Sequence, residues 1–310
     1  MLKQTEEEIL KSEVVEDAFG FLPEKWSLKF DDFEIIPLDE YDKNKEYIKK
    51  YTHQDKFYYP PVTNSISVDP KTQEIKETIP NTERPAALYK IPNSHNILTQ
   101  GVGLDQEKLR RGILGFILNL LGYYFGRRFQ FDGWWYDSRV PMDNQHNIIM
   151  RKDECEDFLN HSVIEWKKWT SDKQKIFSNI LFMHSRATSY QWDWERFMIE
   201  YMTFDGIWNV FSADTGIKSP HAQRINIILT HYKMPKDQTI LTKFVKLRND
   251  LFHETLWDKG QPCTGASQDA FYSFYYLQRM NDRLILALLK YPTKYIMTDW
   301  KYMGTCGFKS

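Results

Sequence analysis

The chain has 310 residues, of which 27% are charged and 15% aromatic, with a formal net charge of −1 at pH 7. Bulk electrostatics therefore neither demands nor forbids a nucleic-acid partner, and any RNA affinity must come from local patches. The length exceeds one ordinary domain and supplies aromatic side chains enough for a core, so folding needs no disulfide or metal staple.

Cys155, Cys263 and Cys306 are far apart and odd in number. Neither a zinc spacing nor a disulfide framework can be built from them, which suits a reducing, cytoplasmic compartment. The N-terminus is acidic and lacks an apolar signal core, so secretion is not expected. Residues 5–18 set Ile9, Leu10, Val14 and Val15 among Glu6, Glu7, Glu8, Glu13 and Glu16. They are expected to form a short acidic amphipathic helix, either solvated or covering a basic groove or a partner.

From 19 to 102 the chain is punctuated by Pro23, Pro37, Pro60, Pro61, Pro70, Pro80, Pro85 and Pro92, and helices of ordinary length fit poorly between prolines at this density. Residues 26–30 and 33–38 are expected to be strands, 65–68 and 74–79 a hairpin across Asp69-Pro70, and 43–51 a single helix. Residues 1–103 thus make a β-rich N-terminal domain. No glycine-rich phosphate loop or dinucleotide fingerprint occurs in it.

Residues 104–128 are predicted to be one helix, capped by Asp105 and closed at Gly126. Its apolar run 113–125 is interrupted by Gly115, Asn119 and Gly122 and falls short of the roughly 20 residues a membrane span needs, so it is a buried helix and no membrane partner is expected. Residues 129–137 alternate and turn at Asp132-Gly133, as a hairpin or an aromatic loop. Arg110, Arg111, Arg127, Arg128 and Arg139 make this connecting segment, 104–150, locally basic. Beside Trp134, Trp135 and Tyr136 they suit either stacking on single-stranded RNA or packing between domains.

After Pro141 the pattern is helical nearly to the end. Helices are expected over 153–169, over 171–190 with Ser171 and Asp172 as caps, and over 192–211 with a stop near Asp214-Thr215-Gly216. A fourth runs from Pro220 to 232, a fifth follows Pro235-Lys236-Asp237, and the last covers 266–291 after the break at Gly260-Gln261-Pro262. Short connections between them argue for an up-and-down bundle over 151–305. The fold class is therefore α+β, a β-rich domain followed by an all-α bundle.

The fifth helix carries the one run that speaks of chemistry. Ile240, Phe244, Leu247 and Leu251, widened by Leu241, Val245 and Phe252, form an apolar stripe. Asn249 and His253, four apart, share the opposite face. Arg248 stands roughly 140° from His253 on an ideal α-helix, so either its long stem reaches around or two copies of the helix build the site. An arginine paired with Asp250 or a distant glutamate, and a histidine placed at a helix C-terminus, is the plain structural alternative.

Cleavage of RNA by the neighbouring 2′-hydroxyl needs a base for its proton, an acid for the leaving 5′-oxygen and fixed positive charge at the phosphorane. Histidine suits either proton task, and a forked, always-charged guanidinium suits the third. An asparagine can orient either of them. Lys243, Lys246 and Lys259 flank the helix and suit contacts to substrate phosphates. No HExxH or paired-histidine motif occurs, so no metal site and no cofactor are expected. His184-Ser185-Arg186 and Asp193-Trp194-Glu195 put polar groups inside apolar helices without such a pattern. No Gly-x-Ser-x-Gly elbow is present.

Arg248-Asn249-x-x-x-His253 at the end of such a helix resembles the motif of the HEPN family, in which Arg, four to six residues and His mark metal-independent ribonucleases. The helical run 153–291 is similar to the HEPN bundle and looks closest to the HEPN domains of abortive-infection, anti-phage proteins. The resemblance implies a homodimer with two motif helices facing each other. His253 would be the acid or base, Arg248 the phosphate stabiliser and Asn249 the orienting group. It further implies a host-defence or toxin effector acting on RNA, with an antitoxin or a regulatory protein restraining it or a phage-derived trigger activating it. The competing expectation is a non-catalytic HEPN-like module that binds RNA or protein.

Overall fold

A computed structural model of the chain describes residues 14–54, 56–60, 64–80, 88–100, 105–137, 139–143, 148–262, 267–302 and 304–309. The first half holds β1 (Val14–Gly20), β2 (Leu28–Phe30), β3 (Phe33–Pro37), α1 (Tyr41–Lys50), β4 (Thr52–His53), β5 (Phe57–Tyr58), β6 (Asn64–Val68), β7 (Ile75–Pro80) and β8 (His95–Gln100). Then come α2 (Gln106–Arg111), α3 (Ile113–Phe125), β9 (Gln130–Phe131), β10 (Val140–Pro141) and β11 (Ile148–Ile149). The chain is mixed α+β, strand-rich before residue 150 and helical after it.

Five strands form one antiparallel sheet in the order β2-β3-β8-β1-β9. β1 corrects the expected helix over 5–18, because residues 14–18 are extended and run in register with β8 from Val14↔Gln100 to Phe19↔His95. Its β-branched start favours a pleated partner, and its buried Asp17 is met by a bidentate Arg110 at 2.6 and 2.7 Å. The earlier part of the expected helix, 5–13, lies outside the described residues. β6 and β7 form the expected hairpin, and α1 covers the expected helix within two residues.

The expected helix 104–128 is divided at Gly112, where α2 ends and α3 begins. Asp105 caps α2 as expected, accepting from Glu107 N at 3.0 Å. α3 is buried nearly throughout and closes on Gly126 in the left-handed region at φ 65°. A Cβ on Gly122 would stand 3.0 Å from Ser185 Oγ, so this glycine admits a neighbouring helix. Two of the local arginines, Arg127 and Arg128, turn inward. Arg127 is buried and donates to Met142 O, burial holding it down to about 10. Arg128 pairs with Asp137 at 3.0 Å.

The helical half comprises α4 (Lys152–Lys167), α5 (Ser171–Ala187), α6 (Asp193–Thr215), a 3-10 turn (His221–Gln223), α7 (Arg224–His231), α8 (Gln238–Asn249), a π-helical turn (Asp250–Glu254), α9 (Gln268–Leu288), a second 3-10 turn (Lys294–Met297) and β12 (Cys306–Gly307). Thr170, one residue before the expected cap, accepts from Lys173 N and starts α5. Gly216 at φ 73° stops α6. β12 pairs in parallel with β11 and ties the end of the chain to its middle.

One continuous core joins the two halves. Phe19, Leu28, Phe30 and Ile97 of the sheet share it with Phe116, Leu120 and Phe125 of α3 and with Phe158, Phe204 and Leu284 of the bundle. Lys167 of α4 pairs with Asp31, and Asp31 N donates to Asn160 at 3.0 Å, sealing the same junction. Among the described residues no helix is long and apolar enough to cross a membrane.

Candidate functional site

Asp237 starts α8 by accepting from Thr239 N and Ile240 N, which satisfies two of the four backbone donors that a helix leaves open. Leu241, Phe244 and Leu247 go into the core. This fixes the rotation of the helix and leaves Asn249 exposed and Arg248 half-buried at its end.

The helix then widens. Over Asp250–Glu254 the backbone makes an i→i+5 turn, with Thr255 N–H bonded to Asp250 O and Thr255 at φ 58°. In a regular α-helix residues five apart point about 140° away from each other, but a turn closed by i→i+5 bonds brings them to one side. Arg248 and His253 therefore meet within a single chain. Arg248 Nη1 lies 3.1 Å from His253 Nε2 and 3.1 Å from Asn249 Oδ1. Its guanidinium also covers the exposed Phe252 ring at 5.1 Å.

A guanidinium has donors only, so His253 Nε2 accepts and the ring proton sits on Nδ1. Arg248 forms no ion pair with Asp250 or any other carboxylate among the described residues. Its Nε atom is buried and without a partner.

The segment after the motif is fastened down. Trp257 is buried against Phe197 and donates through Nε1 to Asp193 Oδ2 at 3.1 Å. Asp258 accepts from Lys243 Nζ at 2.6 Å and from Ser267 N at 2.9 Å. Burial opposes its charge, but these bonds hold its carboxyl at about 2. Lys243 is thus engaged in holding the loop. Lys246 lines a cleft of about 370 Å³ between α7 and α8, together with Ile225, Asn226, Val245 and Asn249. Lys259 is exposed, at φ 68°.

A second polar group begins at His221, the chain neighbour of Ala222 in the cleft wall, and the sequence offered no sign of it. His221 stacks on Tyr201 with ring centroids 5.5 Å apart. Its Nε2 faces Asp205 Oδ1 at 3.5 Å, and Arg224 Nη1 reaches that oxygen at 3.4 Å. Ala222 and Asn249, the chain neighbours of His221 and Arg248, line the one cleft. Burial, then the nearby Arg248 and Arg224, lowers the His221 imidazole below its ordinary value against the pull of Asp205. His221 lies in a three-residue turn, where no periodicity marks a face.

His184 belongs elsewhere. It is fully buried in α5, with Nδ1 3.0 Å from Glu200 Oε2 and Nε2 2.7 Å from Asp282 Oδ1. Asn281 Nδ2 donates to the same Glu200 oxygen at 2.8 Å. Among the described residues no group of three or more His, Cys, Asp or Glu side chains is arranged to hold a metal ion. No protein-family model matches the chain, and comparison with curated proteins and with solved structures finds no match.

Proposed function

We propose that the chain is an endoribonuclease of HEPN type that cuts RNA by 2′-hydroxyl attack without a metal ion. The observation that carries this reading is the convergence of Arg248, Asn249 and His253 at 3.1 Å, with no carboxylate on the arginine among the described residues. An arginine placed only for structure would ordinarily be paired. This one faces an imidazole and an amide beside an open cleft, where an arriving phosphate can take its charge.

The chemistry follows from the donors. A phosphodiester oxygen entering beside Arg248 draws the forked guanidinium onto itself. His253 Nε2, released from that bond, can take up a proton and pass it to the leaving 5′-oxygen. Charge building on the phosphorane is met by the permanent positive charge of the guanidinium. Asn249 holds the resting guanidinium and can turn its amide to the same phosphate. Lys246, on the cleft wall, suits the next phosphate along the strand.

A ribonuclease of this kind fits a regulated host-defence or toxin effector, with an antitoxin, a regulatory protein or a phage-derived trigger controlling access to the cleft. The family resemblance implies a homodimer. Because the π-helical turn already joins arginine and histidine in one chain, a dimer would serve to hold RNA or regulate access rather than to assemble the pair.

The test is cleavage of RNA by purified wild type and His253→Ala in EDTA, with product ends analysed for 2′,3′-cyclic phosphate. The variant is expected to lose about 10²- to 10⁴-fold in rate while keeping its melting temperature, since His253 is exposed. Equal cleavage by both proteins would sink the assignment.

A further inference from the structure

We propose that His221 is the second proton carrier of the Arg248 site, the general base that takes the 2′-hydroxyl proton while His253 protonates the 5′-oxygen. This rests on the ribonuclease reading and names a residue outside its motif.

Transesterification needs two proton transfers in opposite senses, and the motif helix supplies one imidazole. As the 2′-oxygen bonds to phosphorus, its proton must leave; as the bond from phosphorus to the 5′-oxygen breaks, that oxygen must gain one. The product is a 2′,3′-cyclic phosphate and a free 5′-hydroxyl, with the proton count unchanged. A single histidine would have to release and receive within one step.

His221 is built as a base. Asp205 Oδ1 stands 3.5 Å from its Nε2, at ion-pair distance but without a closed hydrogen bond, and favours the ring proton on that nitrogen. Its Nδ1 has no hydrogen-bond partner among the described residues and is the nitrogen left to accept a proton. The Tyr201 ring beneath it fixes the plane. Tyr201 is 1% exposed, and its hydroxyl has no partner.

Around this imidazole stand Tyr201 and Asp205 from α6, Arg224 from α7 and Arg248 from α8. The Nε atoms of Arg224 and Arg248 are both buried and unpartnered. Buried donors are nearly always satisfied, and two arginines and a tyrosine around this one imidazole leave theirs unfilled among the described residues. Burial and two guanidinium charges hold the His221 imidazole below its ordinary value against the pull of Asp205, which favours the neutral form a base requires. His253, bonded to Arg248, is the imidazole left to protonate the 5′-oxygen.

The experiment measures kcat/KM against pH for the full chain in EDTA, on an oligoribonucleotide and on a ribonucleoside 3′-(4-nitrophenyl phosphate), whose leaving group needs no acid. His221→Gln is expected to lose about 10²-fold or more on both substrates and to lose the ascending limb of the profile. His253→Ala should be impaired on RNA and largely recover on the nitrophenyl ester. Asp205→Asn, lacking the carboxylate that raises His221, should move the ascending limb to lower pH. Should His221→Gln fold poorly, an unmoved limb in Asp205→Asn overturns the inference. Wild-type rates and an intact limb in His221→Gln, with His253→Ala inactive on RNA, overturn it and leave the ribonuclease standing. No cleavage by wild type on either substrate overturns both.

Discussion

An arginine held by an imidazole and an amide keeps its charge for an incoming anion, whereas a charge enclosed by opposite charges is spent on structure. His184 is the second kind. Burial alone would push its imidazole down, but Glu200 and Asp282 on its two nitrogens lift it to about 10. Its folded value lies above the 6.5 of the free side chain, so its contribution to stability is complete below about pH 6.5 and is lost as pH rises through about 10. The melting temperature of wild type should fall across that window, and His184→Gln should lack that component of the fall. His184→Ala leaves two buried carboxylates uncompensated and should cost ~3–5 kcal/mol in urea unfolding. Neither partner was legible beforehand: Glu200 and Asp282 lie on other helices, and only the fold brings them to His184.

Among the elements, caps and breakers were the readable part. Asp105 and Asp237, where the sequence set helix starts, each begin a helix with a side-chain bond, and Gly126 and Gly216 end one in the left-handed region. Asp237→Ala removes two backbone bonds and the 3.0 Å pair with Lys301. It should lower stability by about 1 kcal/mol, read as a lower urea midpoint, while cleavage per folded molecule is kept. β1 was misread because Val14, Val15 and their glutamates satisfy a helical pattern as well as an extended one, and pairing with a distant β8 decided it. The π-helical turn escaped for a different reason. A wheel drawn at one pitch assigns Arg248 and His253 to different sides, and no residue type announces a change of pitch. The sequence singled out Arg248, Asn249 and His253, but the change of pitch that brings them together was not legible in it. His221, Asp205 and Tyr201 were missed because their association exists only between elements.

At the scale of the molecule, Arg248, Asn249 and His253 meet within one chain. Mixing Arg248→Ala with His253→Ala protein should therefore restore no cleavage, whereas a site shared across a dimer would recover part of it in the mixture. The sheet and the bundle, read from the sequence as successive domains, contribute side chains to the same interior through α3, which has almost no solvent-facing residue. Its Asn119 donates to Ser178 O at 3.2 Å, and Gly122 lets α5 approach. The strand-rich half also keeps a smaller core of its own, in which Phe21, Tyr41, Tyr58, Tyr89 and Tyr136 pack together. The sheet, sharing the bundle's interior, cannot swing away as a hinged cover without opening that interior to water.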